Sequence, residues 1–246
     1  MKKTAVIMGM PVIIEILDKN AKESDIDEVF SYFVSIDEKF SPYKNDSEVS
    51  KINRKEIDER NYSKEMKYIL KEAARTKKET NGYFEINLNG KFDPSGIVKG
   101  YAIFEGARKL KAKGFKNYYV EIAGDIQVSG TNKEDKSWKV GIRNPFNQEE
   151  IVKVVNISDN GIATSGNYIR GKHIFNPVSN KEADEIASIS VIAKNVYDAD
   201  RYATAAFAMG EKGIYFLDKL KGVEGYMITK DKKAVYTKNF EKFVIN

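Results

Sequence analysis

The sequence predicts an α+β protein in which helices pack against mixed and antiparallel sheets. Strand patterns and helix patterns both occur along the chain, but they do not alternate regularly as they do in βαβ folds. The 246 residues contain no repeat, no low-complexity tract and no linker rich in proline and glycine. We therefore expect a single domain over residues 1–246.

The first half of the chain contains one clear strand and three helices. The segment VIIEI, residues 12–16, alternates as a strand does. Apolar residues recur at helical spacing from residue 26 to residue 40, and Ser24 is the expected N-cap. Two further helices are predicted over residues 63–81, ended by Gly82, and over residues 99–113, ended by Gly114.

The second half is richer in strands. A helix is predicted within residues 196–210, another over residues 214–220, and a hairpin at the carboxyl end. The apolar segments that predict strands are residues 118–124, 138–142, 152–157, 161–166 and 187–193. Neither GxGxxG after the first strand nor GxxxxGK is present, so the common nucleotide-binding folds are not indicated.

Composition excludes several classes of function. Hydrophobic residues make up 41% and charged residues 31% of the chain, which is typical of a soluble globular protein. The net charge of +5 comes from scattered lysines rather than a basic stripe, so we expect no nucleic-acid partner. Because the chain has no cysteine, it has no disulfide, thiolate metal site or cysteine nucleophile.

The sequence shows no sign of a membrane span or a secretion signal. No run of eighteen apolar residues exists, and the amino-terminal segment MKKTAVIMGMPVIIEI lacks a long apolar region and a cleavage site. A lipidated cysteine is also absent. The expectation is a cytoplasmic protein or, if a longer N-terminus was trimmed, one anchored to the outer side of the membrane.

Asp200 and Thr204 are the first candidates for chemistry. They lie four residues apart in the otherwise apolar segment VYDADRYATAAFAMG, so a helix places both on one face. A carboxylate and a hydroxyl at one point suit a hard cation such as Mg²⁺. The alternative is a helix-capping aspartate with a threonine packed inward, and Asp198 is a second candidate for the cap.

His173 is the only histidine of the chain, within GKHIFNPVSN. Imidazole is the side chain best suited to moving a proton near neutral pH. A lone histidine is more often an ordinary surface or core residue, so the pattern alone leaves both readings open.

Three segments rich in glycine offer backbone to a ligand. They are KFDPSGIVKGYA, EIAGDIQVSG and IATSGNY, and the last contains Thr164, Ser165 and Gly166. Exposed N–H groups at a helix start suit anions, and glycine lets a ligand approach closely. Each segment alone is equally consistent with ordinary turns and helix starts.

The order of the motifs is more specific than any one of them. The series FSPYKNDSEVSKIN, FDPSGIVKGYA, VEIAGDIQVSG, WKVGIRNP, IATSGNYIRGKHIFNP and DADRYATAAFAMG resembles the short members of the ApbE family, the FAD:protein FMN transferases. The resemblance extends from Met8 to Gly210. It implies an ApbE-type fold and an enzyme that takes FAD and Mg²⁺. Such an enzyme transfers the FMN phosphoryl group to a threonine or serine of a target flavoprotein and releases AMP.

The resemblance also assigns residues. Asp200, Thr204 and the carbonyl of Gly96 correspond to the family's magnesium ligands. His173 corresponds to the family's histidine, implied to be a general base or proton relay. The positions implied to bind the flavin nucleotide are Met8, Tyr43, Phe84, Asp93, Lys99 and, in IATSGNY, Ser165.

The chain departs from the family pattern at Glu85, Asn144 and Asn176, where many members have aspartate. The resemblance implies an acceptor protein with a motif of the type Asp-Gly-x-Thr-Gly-Ala, and membrane association only through that acceptor or a missing anchor. Two alternatives remain: a Mg²⁺-dependent FAD pyrophosphatase that yields FMN and AMP, and a non-catalytic flavin-binding protein. AMP release separates the enzymes from the binder, and need for an acceptor separates the transferase from the hydrolase.

Overall fold

A computed structural model describes residues 1–88, 90–167 and 174–245. Strands and helices are both abundant in these residues, which confirms the predicted α+β class. The strands in chain order are β1 (Lys2–Ile7), β2 (Met10–Ile16), β3 (Asn87–Leu88), β4 (Lys91–Phe92), β5 (Tyr118–Ile122), β6 (Asp125–Ser129), β7 (Trp138–Asn144), β8 (Asn147–Ile157), β9 (Gly161–Gly166), β10 (Phe175–Asn176), β11 (Lys181–Glu182), β12 (Ile186–Ala193), β13 (Glu224–Thr229) and β14 (Ala234–Tyr236).

Eight of these strands form one sheet in the order β1-β2-β5-β6-β9-β12-β13-β14. All neighbouring strands in it are antiparallel. The pairs β3–β4, β7–β8 and β10–β11 form separate two-stranded antiparallel sheets. Antiparallel pairing permits tight two-residue hairpin turns between consecutive strands.

Helices cover one face of the large sheet. They are α1 (Glu23–Phe40), α2 (Glu48–Asn53), α3 (Lys64–Glu79), α4 (Ser95–Ala112), α5 (Val196–Ala208) and α6 (Gly213–Leu217). The helices α4 and α5 pack against each other, α4 also on β5 and β6 and α5 on β9 and β12. Two apolar clusters fill this layer, one around α1, α3 and α4 and one around α5 and α6.

The opposite face of the sheet is covered by the β7–β8 hairpin. Strand alternation explains the division, because successive side chains point to opposite faces. On β9, Ala163 belongs to the helical side, whereas Ile162 contacts the hairpin side. Trp138, Val140 and Val155 of the hairpin complete this third apolar cluster.

The structure corrects several predicted boundaries. Ser24 lies inside α1, whose N-cap is Lys22, and the Lys22 N–H donates 2.9 Å to the side chain of Asp25. The helix predicted to start at Lys99 begins four residues earlier, at Ser95. The short helix α2, with Ser47 as its N-cap, escaped prediction. No helix of the described residues is both long enough and apolar enough to cross a membrane.

Candidate active site

Two tight hairpin turns meet at one end of the large sheet. The β1–β2 turn consists of Met8 and Gly9 with φ of 58° and 68°, and the β5–β6 turn of Ala123 and Gly124 with φ of 50° and 90°. Positive φ at both positions is typical of the turn that best fits strand twist. Ala123 N–H donates 3.0 Å to the Pro11 carbonyl, so the two turns are neighbours. Both carry residues that line clefts at this end.

The amino-terminal turn of α4 faces the same region. Pro94 is the N-cap, and the side chain of Asp93 accepts a hydrogen bond of 3.0 Å from the Ser95 N–H. Ser95 and Lys99 lie one helical turn apart, and both line the clefts. The partial positive charge of a helix N-terminus and the Lys99 ammonium therefore act in the same place.

Asn53 holds the segment that leads into α4. Its Nδ2 donates 2.9 Å to the Phe92 carbonyl, and its Oδ1 accepts 2.8 Å from the Phe92 N–H. One side chain thus pairs both backbone groups of Phe92, as a neighbouring strand would. The contact fixes the chain immediately before Asp93. Sequence patterns do not predict it, because it joins residues 39 apart.

Asp200 lies on α5 and is 5% exposed. Its Oδ2 accepts a hydrogen bond of 2.7 Å from the backbone N–H of Gly100 on α4. The N-cap of α5 is Asn195, whose side chain accepts from the Asp198 N–H at 2.8 Å. Asp198 is therefore not the cap, and it pairs with Arg201 at 2.8 Å. Asp200 lines a cleft together with Gly96 and Thr204, so its side chain points into this cleft and does not cap the helix.

Thr204 lies one turn further along α5 and reaches the start of α4. Its Oγ1 is 3.4 Å from the carbonyl oxygen of Gly96. A Cβ at residue 96 would lie 3.2 Å from Thr204 Cγ2, so the glycine permits this close approach. The carbonyl of Gly96, the hydroxyl of Thr204 and the carboxylate of Asp200 all belong to one cleft wall.

These donors fit a hard divalent cation. All three are oxygens, and Mg²⁺ is commonly held by one or two carboxylates with the remaining positions filled by water and substrate phosphates. No group of three acidic, histidine or cysteine side chains is gathered in the described ranges. The donor set thus suits magnesium with a phosphate ligand better than a metal that needs several side chains.

The positively charged ammonium group of Lys99 lies on the same cleft wall. Its Nζ lies 2.7 Å from Oδ2 of Asp125, which is the first residue of β6 after the Ala123–Gly124 turn. The other carboxylate oxygen of Asp125 accepts 3.1 Å from the Thr164 N–H on β9. Asp125 therefore connects α4, β6 and β9.

Two clefts share this wall. The first is lined by Tyr83, Glu85, Leu88, Asp93, Ser95, Gly96, Lys99, Ala123, Thr164, Ser165, Gly166, Ile174, Phe175, Asp200 and Thr204. The second is lined by Met8, Gly9, Met10, Ile36, Asp37, Phe40, Ser41, Pro42, Tyr43, Ser95, Val98 and Lys99. Their volumes are about 150 and 250 Å³. Only together do they reach the roughly 300–1,000 Å³ of typical ligand sites, so an extended ligand that spans both fits best.

The sequence-predicted residues are distributed unevenly over these clefts. Met8 and Tyr43 line the second, Asp93, Gly96, Ser165, Asp200 and Thr204 line the first, and Lys99 lines both. Phe84 lines neither, because its ring is 1% exposed and packs behind Gly96. His173 lies outside the described residues. Thr164, in the segment IATSGNY that the sequence singles out, also lines the first cleft, whereas Tyr83 and Leu88 line it without a distinctive sequence signal.

The departures from the family pattern have local explanations. The Oδ1 of Asn144 accepts 3.0 Å from the Phe146 N–H, and that of Asn176 accepts 3.0 Å from the Val178 N–H. An amide oxygen serves in such turns as a carboxylate does. Glu85 accepts from its own neighbours' backbone and pairs with Lys77 at 2.5 Å. Burial raises the pKa of Glu85, but the Lys77 ion pair and these hydrogen bonds outweigh it and lower the pKa overall.

A buried ion network holds α5 through Arg201, the residue after Asp200. Arg201 is 3% exposed and pairs with Glu79 of α3 and with Asp198. It also donates 2.7 Å to the hydroxyl of Tyr202. Because Arg201 directly follows Asp200, the network sets the rotation of α5 about its axis and with it the direction of the Asp200 carboxylate.

Comparisons with known proteins identify similar sequences and similar folds. The model of the ApbE family matches residues 8–91 and 88–227. A FAD:protein FMN transferase of Vibrio cholerae serotype O1 is 32% identical over 130 residues, 49% of this chain and 39% of that protein. The FAD:protein FMN transferase of Escherichia coli K12 is 30% identical over 167 residues, 63% and 48% of the two chains. The matched segments thus span about half or less of these relatives.

Solved structures match over nearly the whole chain. The flavin transferase ApbE from Vibrio cholerae superimposes with a TM-score of 0.87 at 22% identity, covering 99% of this chain and 98% of that one. The ApbE protein from Thermotoga maritima gives a TM-score of 0.88 at 20% identity, covering 100% and 99%. At these identities the likeness establishes the fold.

Proposed function

The chain belongs to the ApbE family, and on that premise we propose that it is a Mg²⁺-dependent FAD:protein FMN transferase. It would move the FMN phosphoryl group of FAD to a threonine or serine hydroxyl of a target flavoprotein and release AMP. The observation that supports this most is the meeting of three oxygen donors, from Gly96, Asp200 and Thr204, on a cleft wall that also carries Lys99.

The charges of this wall suit a diphosphate. The N-terminal turn of α4 and the Lys99 ammonium present positive charge toward an anion. Asp200, Thr204 and the Gly96 carbonyl would hold the metal. Bound Mg²⁺ would offset the negative charge that grows on the leaving phosphate as the diphosphate bond breaks.

The transfer exchanges one phosphorus–oxygen bond for another. The acceptor hydroxyl oxygen bonds to the phosphorus of FMN, and the bond from that phosphorus to the AMP oxygen breaks with its electron pair going to AMP. The hydroxyl proton must go to a base. We assign this role to His173 on sequence alone, because an imidazole accepts protons near neutral pH.

The second cleft is the proposed site of the flavin ring. Its floor is apolar, with Met10, Ile36 and Phe40, and Met8 and Tyr43 lie at its rim. A planar tricyclic ring needs such a surface on its faces. Lys99 and Ser95 line both clefts, so the diphosphate would lie between the ring and the first cleft.

The test mixes the protein with FAD, Mg²⁺ and a small domain that carries the Asp-Gly-x-Thr-Gly-Ala motif. Covalent flavin on the acceptor is detected by fluorescence in a denaturing gel, and AMP by chromatography. We expect labelled acceptor and equimolar AMP, both lost on adding EDTA. An acceptor with valine in place of the motif threonine is the matched control and should stay unlabelled.

Two variants two residues apart test the metal donors. Asp200→Asn removes the charge at the cleft, and we expect label and AMP to fall at least about a hundredfold. Asp198→Asn removes a charge on the same helix, but its amide oxygen can still accept from Arg201, whose ion pair with Glu79 remains. This variant should keep α5 in place and retain most activity. AMP and free FMN without label would favour the pyrophosphatase, and bound FAD without products would favour the binding protein.

A further inference from the structure

Asp125 is a charged side chain with an unusually secluded position. It is 1% exposed, at the start of β6 and below the wall shared by the two clefts. A buried carboxylate is costly unless it is paired and hydrogen-bonded. Its described partners are the Lys99 ammonium at 2.7 Å and the Thr164 N–H at 3.1 Å. The ion pair therefore needs an explanation beyond packing.

The property of Lys99 that Asp125 can control is the position of its ammonium group. A lysine ammonium sits on a flexible four-carbon stem, so its position is poorly defined without a partner. The Lys99 side chain retains 18% exposure and borders both clefts. A carboxylate held by the sheet fixes Nζ at the junction, where an anion that crosses from one cleft to the other must pass.

We propose that Asp125 is a positioning residue that holds Lys99 ready for the diphosphate of FAD. The inference rests on the proposed function and adds to it the residue that orders the diphosphate site. Asp125 is enclosed behind Lys99 and does not line either cleft, so it acts through the lysine. The ammonium, with three donors, can hold the Asp125 carboxylate and a phosphate oxygen together.

The two contacts of Asp125 can be separated by mutation. In Asp125→Asn the amide oxygen can still accept from the Thr164 N–H, so the link between β6 and β9 survives. Only the charge that faces Lys99 is lost. Lys99→Met keeps the length of the stem and removes the ammonium, so the pair of variants and their double variant form a thermodynamic cycle.

The experiment measures equilibrium binding of FAD and of riboflavin by flavin fluorescence, with the full chain and without acceptor. We expect Asp125→Asn and Lys99→Met each to weaken FAD binding about tenfold, and the double variant to be no weaker than Lys99→Met alone. Riboflavin has no phosphate, so its affinity should stay unchanged in all three variants. Glu15→Gln is the matched control. It changes another buried carboxylate that pairs with a lysine, the exposed Lys133, at a residue that lines neither cleft.

The outcomes are distinct. Additive losses in the double variant, or an equal loss of riboflavin affinity, would make Asp125 a structural residue and overturn the inference. Unchanged FAD affinity in a folded Asp125→Asn variant would also overturn it. If the unmodified protein bound riboflavin but not FAD, the proposed function itself would fail, whatever the variants did.

Discussion

The Oδ2 atom of Asp200 accepts a hydrogen bond of 2.7 Å from the backbone N–H of Gly100, across the interface of α5 and α4. A Cβ at residue 100 would lie 2.6 Å from the Cβ of Asp200 and 3.0 Å from the carbonyl oxygen of Val196. The two helices can therefore approach this closely only because residue 100 has no side chain. The position of Asp200 in the first cleft depends on that approach.

Gly100→Ala should consequently disturb the proposed metal site as well as the packing. The added methyl group must push α5 away, which costs about 1–3 kcal/mol of unfolding free energy and displaces Asp200 and Thr204 from Gly96. We expect the Mg²⁺ concentration for half-maximal transfer to rise about tenfold or more. Chemical denaturation and a Mg²⁺ titration of AMP release measure the two effects.

Gly106→Ala on the same helix is the control. Its Cβ would lie 2.7 Å from the ring of Phe33, so the packing is disturbed to a similar degree but away from Asp200. This variant should lose stability and keep its Mg²⁺ requirement. The argument fails if both variants shift the Mg²⁺ titration equally.

Local patterns predict the elements and the shared helical face of Asp200 and Thr204 better than they predict how the elements meet. The spacing of Asp200 and Thr204 on one helix determines that they share a face, and the structure places both on one cleft wall. The start of α4 was placed too late, because proline and glycine in DPSG disfavour a helix interior. They are tolerated at its first turn, and the helix begins at Ser95.

The contacts that order the site join residues far apart in sequence. Asn53 with Phe92 and Lys99 with Asp125 are examples, and neither member of a pair carries a pattern that names its partner. Asn53 lies at the end of α2, which is too short to show a clear apolar period, so no pattern marks it as a contact residue. Such pairs are determined by the tertiary arrangement rather than by local propensity.

Asn53→Leu tests the role of that side chain. The leucine leaves the N–H and carbonyl of Phe92 without their partner, which should cost about 1–3 kcal/mol of unfolding free energy. The segment from Asp93 to Gly96 is then held less firmly, so we expect transfer activity to fall about tenfold with little change in riboflavin binding. Unfolding curves and initial rates at saturating FAD give both values.

Asn132→Leu is the comparison for Asn53. Asn132 also bonds backbone groups, donating 3.0 Å to the Ser137 carbonyl and accepting 2.8 Å from the Glu134 N–H, in the loop before β7. It should lose similar stability and keep its rate. A rate loss in Asn132→Leu as large as in Asn53→Leu would mean that general destabilisation explains both.

Tyr43 should matter to ligand binding and not to folding. The side chain is 89% exposed at the rim of the second cleft, so it contributes little apolar burial. Tyr43→Ala should leave the unfolding free energy within about 0.5 kcal/mol and raise the KM for FAD several-fold. Tyr215→Ala, another exposed tyrosine at 66% and remote from the clefts, should change neither. If the affinity for riboflavin does not fall in Tyr43→Ala, Tyr43 does not contact the flavin ring and the prediction is wrong.

The last prediction concerns pH and the network that fixes α5. Burial raises the pKa of Glu79, but the hydrogen bond and charge of Arg201 outweigh it, so the folded-state pKa lies below the ordinary value of 4.5. A lowered carboxyl pKa contributes stability above the unfolded-state pKa, and that stability is lost as pH falls through the folded-state pKa. The unmodified protein should therefore lose stability progressively below about pH 4.5.

Arg201→Met should change that dependence. At pH 7 it leaves Glu79 and Asp198 without the buried guanidinium, which costs about 3 kcal/mol of unfolding free energy. Without Arg201, burial would raise the pKa of Glu79, so its protonation at lower pH relieves part of the cost. The stability difference between variant and unmodified protein should hence narrow from pH 7 to pH 4, as measured by urea denaturation. Arg108→Met removes an exposed pair with Glu105 and should have little effect at either pH. A difference for Arg201→Met that stays constant with pH would mean that Glu79 is not coupled to this arginine.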